Sequence, residues 1–314
     1  MRILVVGAGA IGGYFGGRLL EAGRDVTFLV RARRGAQLAK TGLVIRSKFG
    51  DASLPAPPTV MADALRAPYD LILLSCKAYD LESAADSFAP AVGANTAILP
   101  LLNGMAHMDF LAKRFGGGAV LGGQCVISTT LDADGGILHL NDTHGLSFGE
   151  PHGSTSARAE AVRKTFSGAR FDSRLSDAIL QEMWEKWVFI AATAGMTCLM
   201  RATVGDIIAA GAANLTSALL DECAAIAAAD GFAPREASHT RSRTMLTAPG
   251  STFAASMLRD IEHGAPIEAD HIVGDLIRRG EHASNEFPLL RIAYAHLKAY
   301  EARRARENAV SKAA

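Results

Sequence analysis

MRILVVGAGAIGG, residues 1–13, joins a short apolar run to a turn of the form Gly-x-Gly-x-x-Gly. The apolar run predicts a buried β-strand, and the pattern after it predicts a helix up to Glu21. In such a unit the first glycine permits the tight turn, the second lets a ligand approach the main chain, and the third lets the helix pack on the strand. The free N–H groups at the start of the helix then face the negative charge of the dinucleotide pyrophosphate. The stretch therefore predicts a dinucleotide site whose residues are Gly7, Ala8, Gly9, Ala10, Ile11 and Gly12. The alternative is a tight turn that binds no ligand.

The tip of the second predicted strand indicates which dinucleotide is bound. Residues 25–30 read as a parallel strand, which runs into Arg31-Ala-Arg33-Arg34. An NAD enzyme usually has an acidic residue at this tip, where it accepts a hydrogen bond from the ribose 2′-hydroxyl. Here three guanidinium groups stand instead, and they suit a 2′-phosphate because they can bind it in bidentate fashion. The pattern predicts NADP(H) with Arg31 as a contact, and the alternative is a solvated basic loop.

Length and charge limit the classes of protein that fit. A chain of 314 residues exceeds one ordinary domain and suggests two, and 49% hydrophobic residues suffice for a large core. The formal net charge is zero, which gives no electrostatic reason to expect binding to nucleic acid or to an anionic membrane. We therefore expect a small-molecule partner, no nucleic acid and no membrane.

The cysteines and the apolar stretches indicate a cytoplasmic protein. The chain starts as a strand rather than as a signal peptide, and its most apolar later stretch, residues 187–200, is shorter than a membrane span. The alanine-rich stretch 209–229 is compatible with a homodimer. Four cysteines are far apart in the sequence and lack the spacing of metal ligands, so we expect no metal site and reduced thiols: Cys76, Cys125, Cys198 and Cys223.

Strands and helices alternate in the first half of the chain. Further buried strands are predicted at residues 69–76 and 97–102, with helical stretches between the strands. This alternation is typical of a parallel sheet that is wound on both faces. Short alternating pieces at residues 136–140, 145–148 and 169–172 predict an added antiparallel edge.

The second half is predicted to be helical. From Asp177 onward the chain is rich in alanine, and glycine and proline divide it into at least five helices. We therefore predict an α/β plus all-α protein with two domains. Residues 1–173 form an NADP-binding domain with a Rossmann-type, doubly wound, mostly parallel sheet, and residues 174–314 form a C-terminal helical substrate and catalytic domain. A ligand cleft is expected between two such domains.

Two polar residues follow predicted strands. Lys77 comes directly after the strand at residues 69–76, and Asn103 comes after that at residues 97–102. Because ligands bind at the carboxyl ends of such strands, Lys77 is a candidate for the cleft, the alternative being a solvated loop. Asn103 could present its amide to nicotinamide or substrate, but Asn103-Gly104 equally fits a simple turn, since both residues tolerate positive φ.

Lys186 is the candidate proton donor of the helical half. It lies between Trp184 and Trp187, whose rings can desolvate its head group. Reduction of a carbonyl needs a proton at oxygen as hydride reaches carbon, and a lysine can supply it. The alternative is an amphipathic stem with its ammonium group in water. On local grounds Ser256 and Glu268 are ordinary helix-surface or cap residues.

Taken in order, these residues make the chain resemble the ketopantoate reductase (2-dehydropantoate 2-reductase) family over nearly its whole length. In that family NADPH delivers hydride to a 2-oxo acid, which gives a 2-hydroxy acid on the route to pantothenate and coenzyme A. The resemblance is carried by the glycine motif, Arg31, Cys76-Lys77-Ala78, Asn103-Gly104-Met105, Trp184-x-Lys186, and Ser256-Met257-Leu258-x-Asp260 with Glu268 and Asp270.

The resemblance implies a role for each matching position. Lys186 would be the general acid that protonates the developing alkoxide, and Asn103 would hydrogen-bond nicotinamide and substrate. Ser256 would help to hold the substrate carboxylate, while Glu268 would bridge the cofactor and the substrate hydroxyl. Lys77 would face the cofactor side of the cleft.

Some positions depart from the family pattern. Ser128 lies where the family's chain passes the nicotinamide, although its residue type differs. Three asparagines of the family are replaced here by Ile190, Ala194 and Val204. Their loss removes hydrogen bonds to a small polar substrate, which a site built for polar groups needs for tight binding. Thr193 and Thr197, near the Lys186 face of a helix, would partly substitute for them, the alternative for Thr197 being a helix-packing residue.

Three hypotheses follow for the function. The first is an NADPH-dependent reductase of a 2-oxo acid, with 2-dehydropantoate as the first substrate to test. The second keeps the fold, the cofactor and Lys186 but assigns a less polar 2-oxo acid or another carbonyl compound. The third is a non-catalytic NADP(H)-binding regulatory protein. Lys186 and Glu268 argue against the third, because a binding protein needs neither.

Overall fold

The computed structural model describes residues 1–283 and 286–313. Its contacts divide the chain into two units. The first comprises Met1–Leu102 and His107–Leu180, and the second comprises Asn103–Ala106 and Gln181–Ala314. The assignment of a cofactor domain to residues 1–173 and a catalytic domain to residues 174–314 stays a prediction.

The strands that the structure describes all lie in the first unit. They are β1 (Arg2–Val6), β2 (Asp25–Leu29), β3 (Leu43–Arg46), β4 (Ala52–Leu54), β5 (Thr59–Val60), β6 (Leu71–Leu74), β7 (Ala97–Pro100), β8 (Gly122–Leu131), β9 (Ile137–Gly149) and β10 (Asp172–Leu175). The longer helices between them are α1 (Ala10–Glu21), α2 (Ala32–Thr41), α3 (Leu81–Phe88), α4 (Ala106–Phe115) and α5 (Ala157–Phe166).

The second unit is helical. Its helices are α6 (Ile179–Met200), α7 (Val204–Ala209), α8 (Ala213–Ala229), α9 (Glu236–Leu246), α10 (Ser256–Glu262), α11 (Asp275–Gly280) and α12 (Pro288–Ala313). A π-helical turn, Asp270–Gly274, leads directly into α11. Helix α8 packs against α9, α11 and α12. Within the described ranges, we find no helix with both the length and the apolar character needed to cross a membrane.

The first sheet is parallel throughout, with the strand order β5–β2–β1–β6–β7. Both faces of this sheet are covered: Ile3 and Val5 of β1 pack into one hydrophobic core, and Leu4 and Val6 pack into another. Covered faces are typical of parallel sheets wound by helices, and the strand order reverses between β1 and β6. The predicted Rossmann-type sheet with a C-terminal helical part is thus confirmed.

The short alternating pieces form a second, mixed sheet rather than an edge of the first. Its order is β10–β9–β3–β4, with β8 paired antiparallel to β9. The two pieces predicted at residues 136–140 and 145–148 are one continuous strand, β9. The prediction of an added edge is therefore wrong, because these strands take their ladder hydrogen bonds from one another and from β3.

Helix α1 lies between the two sheets and approaches both through glycines. A Cβ at Gly16 would meet Phe28 and Val5 of the first sheet, whereas a Cβ at Gly17 would meet Leu43 and Ile45 of the second. Glycine weakens a helix by about 1 kcal/mol relative to alanine, so propensity alone does not account for α1. The packing on both sheets stabilises it instead.

The turn between β1 and α1 has the geometry that its sequence predicts. Gly7 has φ of +91°, and its N–H donates a hydrogen bond of 2.9 Å to the Leu29 carbonyl. Gly9 precedes the first residue of α1, and among described atoms beyond its chain neighbours none lies within 4 Å of where its Cβ would stand. A Cβ at Gly12 would overlap with the Ser75 hydroxyl and the Gly7 carbonyl. Gly12 is thus a packing position, and Gly9 borders open space.

Replacing Gly12 and Gly9 by alanine should separate packing from ligand access. Gly12→Ala forces the helix away from the main chain of the turn and should lower the free energy of unfolding by about 1–3 kcal/mol. Gly9→Ala meets no described atom and should leave stability within about 0.5 kcal/mol. Thermal unfolding of both variants without cofactor measures the difference. Equal melting temperatures for Gly12→Ala and the wild type would contradict the close-packing argument.

Candidate active site

The carboxyl ends of β1 and β6 lie side by side, and each leads to a candidate residue. β1 leads into the glycine turn, and β6 leads through Ser75 to Lys77. The Ser75 hydroxyl donates a hydrogen bond of 3.1 Å to the Val6 carbonyl and thereby ties the two strand ends together. Lys77 is half-buried and directly precedes the short 3-10 helix Ala78–Asp80. Both candidates thus lie at the point where the strand order reverses, which is where sheets of this class bind ligands.

The three arginines after β2 have different surroundings. The Arg31 side chain is 71% exposed and forms an ion pair of 2.8 Å with Asp80, whose hydrogen bond and charge raise the pKa of the guanidinium. Arg33 is exposed. Arg34 instead donates hydrogen bonds to the carbonyls of Ala8, at 2.8 Å, and Gly135, at 2.9 Å, and burial lowers its pKa. Arg34 therefore stabilises the glycine turn by its hydrogen bond to Ala8. The exposed guanidiniums at this tip are those of Arg31 and Arg33.

Ser128 lies in β8 of the second sheet. Its main-chain N–H donates a hydrogen bond of 2.8 Å to the Asn141 side chain, beside a register shift between Ile127 and Thr129. The residue is half-buried. Its contact with a nicotinamide stays a prediction.

Lys186 lies on α6 between two buried tryptophans. Trp184 and Trp187 are 1% and 0% exposed, and their ring centroids are 4.9 Å apart. The Trp187 indole N–H donates a buried hydrogen bond of 2.8 Å to the carbonyl of Ile272 in the π-helical turn. Lys186 itself is half-buried. The tryptophans therefore fix the turn of α6 that carries Lys186.

Glu185, the neighbour of Lys186, anchors α6 to the start of α9. Its side chain is 8% exposed and accepts two hydrogen bonds of 2.7 Å from the Arg235 guanidinium and one of 2.9 Å from the Arg235 main-chain N–H. Burial alone would raise the pKa of this carboxyl, but the hydrogen bonds from Arg235 outweigh it and lower the pKa. The paired Glu185 carboxylate is thus a second constraint on the position of Lys186.

Asn103 belongs to the same unit as Lys186 and contacts the π-helical turn. Gly104 has φ of +80°, so the Asn103-Gly104 pair does form a turn. The ring of His271 hydrogen-bonds to the main chain of Asn103, and the charge of the Glu268 carboxylate acts on the same ring. The predicted residues Asn103 and Glu268 are therefore both neighbours of His271.

Ser256 is the first residue of α10 and is exposed. The preceding N–H, that of Ala255, donates a hydrogen bond of 3.3 Å to the Thr197 hydroxyl on α6. The start of α10 is thus tied to the helix that carries Lys186, at Thr197, eleven residues after Lys186.

Two sequence models of one family match the chain. The model described as "Ketopantoate reductase PanE/ApbA" matches residues 3–153, and that described as "Ketopantoate reductase PanE/ApbA C terminal" matches residues 178–301. The chain belongs to the ketopantoate reductase family.

The chain is also similar to individual proteins. A curated protein of Bacillus subtilis (strain 168), named "Uncharacterized oxidoreductase YkpB", is 38% identical over 303 residues, which are 96% of this chain and 99% of its own. A crystal structure of 2-dehydropantoate 2-reductase from Methylococcus capsulatus has a TM-score of 0.85 at 28% identity and covers 97% of this chain and 98% of its own. D-mandelate dehydrogenase, solved with NADH and anilino(oxo)acetate, has a TM-score of 0.87 at 21% identity over 97% of this chain and 100% of its own, a likeness of fold.

The three positions that depart from the ketopantoate reductase pattern differ in exposure. Ile190 is half-buried on α6, one helical turn after Lys186. Ala194 and Val204 are 3% and 2% exposed, so both are packed in the interior. The ring of Phe189, next to Ile190, stacks on Phe253 with centroids 5.8 Å apart. The two side chains that follow Lys186 by about one turn, Phe189 and Ile190, are thus apolar.

Two threonines of α6, which were expected to substitute in part for the missing amides, use their hydroxyl hydrogens elsewhere. Thr193 and Thr197 are 2% and 0% exposed. The Thr193 hydroxyl donates to the Phe189 carbonyl at 2.6 Å, and the Thr197 hydroxyl donates to the Thr193 carbonyl at 2.7 Å. Their hydroxyl hydrogens are therefore used within the helix.

Three residues of these surroundings were missed by the sequence analysis. Ser75 ties two strand ends, Arg34 holds the carbonyl of Ala8, and His271 contacts Asn103. Each bridges segments that are far apart in sequence, so no local pattern marks it. Only Arg34 had a signal, as one of three arginines, and that signal pointed to a phosphate.

Glu185→Gln tests whether the paired carboxylate stabilises the protein. Loss of charge-assisted hydrogen bonds from Arg235 should lower the free energy of unfolding by about 1–3 kcal/mol at pH 7. Because the folded pKa is lowered, this contribution is complete above the unfolded value of about 4.3 and is lost as the pH falls through the folded value. Thermal unfolding from pH 7 to pH 3.5 should therefore show the wild type and the variant converging.

The matched control is Glu160→Gln on α5. Glu160 pairs with Arg163 at 2.7 Å, and its side chain is 35% exposed and that of Arg163 51%, against 8% for Glu185, so the change should stay below about 0.5 kcal/mol. Equally small losses for the two variants would show that the Glu185 pair contributes no more than a surface pair.

Proposed function

We propose that the protein reduces a 2-oxo acid to a 2-hydroxy acid with NADPH and that Lys186 is the proton donor. The observation that carries the proposal is the position of the segment Glu268–Ile272. This segment contacts Asn103 through His271 and receives the hydrogen bond of Trp187, the neighbour of Lys186. Asn103, Lys186 and Glu268, which are far apart in sequence, are thereby gathered within one unit.

The glycine turn fits a dinucleotide. The Gly9 position has open space where a side chain would otherwise stand, and α1 begins there without a capping side chain or an acidic residue in its first turn. Such a helix start suits a pyrophosphate. The exposed Arg31 and the missing acid at the tip of β2 favour a 2′-phosphate and hence NADP(H) over NAD(H). The proposed cofactor contacts are Gly7, Ala8, Gly9, Ala10, Ile11, Gly12, Arg31, Lys77, Asn103, Ser128 and Glu268.

Each candidate side chain has a task in the reduction. When bound, NADPH supplies the hydride for the carbonyl carbon. The Lys186 ammonium donates a proton to the carbonyl oxygen, so that no alkoxide has to persist. The Asn103 amide donates a hydrogen bond that orients the reacting group, and the Ser256 hydroxyl binds the substrate carboxylate. Glu268 accepts a hydrogen bond from the hydroxyl that forms.

The first candidate substrate is 2-dehydropantoate, which would place the protein in pantothenate biosynthesis. It is supported by the family and by relatives named 2-dehydropantoate 2-reductase. The second candidate is a less polar 2-oxo acid, and Ile190, Ala194 and Val204 favour it because they remove three amides. A non-catalytic NADP(H)-binding protein would have no use for Lys186.

The experiment is NADPH oxidation with 2-dehydropantoate, with larger and less polar 2-oxo acids, and with other carbonyl compounds. The wild type is compared with Lys186→Ala and Lys186→Arg. We expect kcat on the best substrate to fall about 100- to 10,000-fold in both variants, because arginine keeps the charge but does not give up a proton near neutral pH. The Kd for NADPH should change less than about 3-fold.

The outcomes separate the hypotheses. Preference for 2-dehydropantoate supports the first candidate, and faster turnover of an apolar 2-oxo acid supports the second. Turnover that survives in Lys186→Ala would refute the proton-donor assignment. NADPH binding without turnover of any compound would support the regulatory protein.

Arg31→Ala tests the cofactor assignment. Loss of the charge-assisted hydrogen bonds to a 2′-phosphate should weaken NADPH binding about 10- to 100-fold, and NADH binding should change less than about 3-fold. Quenching of protein fluorescence gives both dissociation constants. The matched variant is Asp80→Asn, which frees Arg31 from its competing carboxylate and should bind NADPH at least as tightly as the wild type. Equal weakening of the two cofactors by Arg31→Ala would remove the argument for a 2′-phosphate.

A further inference from the structure

The segment between Glu268 and α11 contains a histidine that none of the assigned roles uses. We propose that His271 is a positioning residue for the reduction: it holds the Asn103-Gly104 turn so that the Asn103 amide is aimed at the reacting group. The inference rests on the proposed function and adds to it a residue that acts through Asn103.

The first argument is the closeness of His271 to the turn. A Cβ at Gly104 would lie 2.9 Å from the His271 carbonyl oxygen and 3.1 and 3.3 Å from its ring atoms Cδ2 and Nε2. Only glycine leaves room for the ring at this place, and Gly104 also has a positive φ of +80°. The turn and the imidazole are therefore packed without a gap.

The second argument is the hydrogen bond between the ring and the main chain of Asn103. This bond favours the protonated ring, so the ring donates it and the Asn103 carbonyl accepts it. Burial lowers the pKa of His271, and so does Arg278, while Glu268, Asp275 and the bond to Asn103 oppose them; the result is a lowered pKa. The ring N–H that donates this bond is thus directed at the Asn103 carbonyl.

The third argument is that His271 itself is held rigidly. It lies in the π-helical turn Asp270–Gly274, a form that is rare and frequent at functional sites. The carbonyl of the next residue, Ile272, receives the buried Trp187 indole N–H. The preceding residue, Asp270, accepts hydrogen bonds of 2.5 Å from Tyr294 and 2.9 Å from Lys298. Constraints on both neighbours leave the ring little freedom to follow a moving turn.

These contacts make His271 a link between three assigned residues. Its ring hydrogen-bonds to the main chain of Asn103, and the Glu268 carboxylate acts on the ring by its charge. The carbonyl of the next residue, Ile272, accepts the hydrogen bond of Trp187, the neighbour of Lys186. A displacement of about 1 Å in a positioned group is enough to reduce turnover about 100-fold. An interaction that Asn103 strengthens in the transition state would appear in kcat rather than in KM.

The test compares His271→Leu, which fills the space without a donor, with His271→Asn and His271→Gln, which return a donor near the place of Nδ1 or Nε2. His271→Leu should lower kcat about 10- to 100-fold, with KM, the NADPH Kd and the melting temperature close to those of the wild type. At least one amide variant should restore kcat to within about 5-fold of the wild type. The control is His263→Leu, an exposed histidine that bonds only within its own helix among the described contacts, at 2.7 Å to the Arg259 carbonyl, and it should leave all values unchanged.

A second readout does not need turnover. The side-chain amide signal of Asn103 in the 15N spectrum of the cofactor-free protein, assigned by its loss in Asn103→Ala, should shift in His271→Leu and return in the amide variant that restores kcat. If the wild type reduces none of the compounds, the proposed function fails, and this signal alone decides whether His271 orders Asn103. An unshifted amide signal, unchanged kcat in His271→Leu, or losses that follow the melting temperature in all three variants would overturn the inference.

Discussion

The close contact of helix α1 with two sheets is the constraint on which the first unit depends. Gly12 and Gly16 bring the helix against the first sheet, and Gly17 brings it against the second. A side chain at any of these positions would separate layers that now share one hydrophobic core. The same contact fixes the start of α1 beside the ends of β1 and β6, which Ser75 joins. The packing of the helix and the place of the glycine turn therefore have one cause.

In the second unit the corresponding constraint is the segment from Glu268 to Gly274. It receives the Trp187 indole, contacts the Asn103-Gly104 turn, and leads into α11. A Cβ at Gly274 would lie 3.0 Å from the Tyr294 ring, so a side chain there requires that ring to shift by a few tenths of an ångström. Trp187, the neighbour of Lys186 on α6, and the Asn103-Gly104 turn are far apart in sequence, and both contact this segment. The segment, which includes the π-helical turn, therefore joins α6 to the Asn103-Gly104 turn.

The glycine turn, β1, β2 and the parallel sheet were predictable because apolar runs and glycine spacing are local signals. The strands β4 and β5, of three and two residues, are too short to carry such a signal, and the four-residue β3 was not predicted although it is apolar. Their places come from pairing: β4 pairs with β3, β3 with β9, and β5 with β2. The candidate site divides in the same way. Lys77 and Lys186 stand out by their place in the sequence, whereas Ser75, Arg34 and His271 acquire their roles only through contacts with residues remote in sequence.

The replaced asparagines separate the chemistry from the choice of substrate. Ala194 and Val204 are buried, so an asparagine returned to either position would place an amide in the interior, where each unpaired polar group costs about 1–3 kcal/mol. The hydroxyls of Thr193 and Thr197 do not offer their hydrogens to such an amide, because helix carbonyls already accept them. The pair of Trp184 with Trp187 and the pair of Glu185 with Arg235, which hold the turn of α6 that carries Lys186, do not involve the three replaced positions, so the proposed reduction is compatible with a changed substrate.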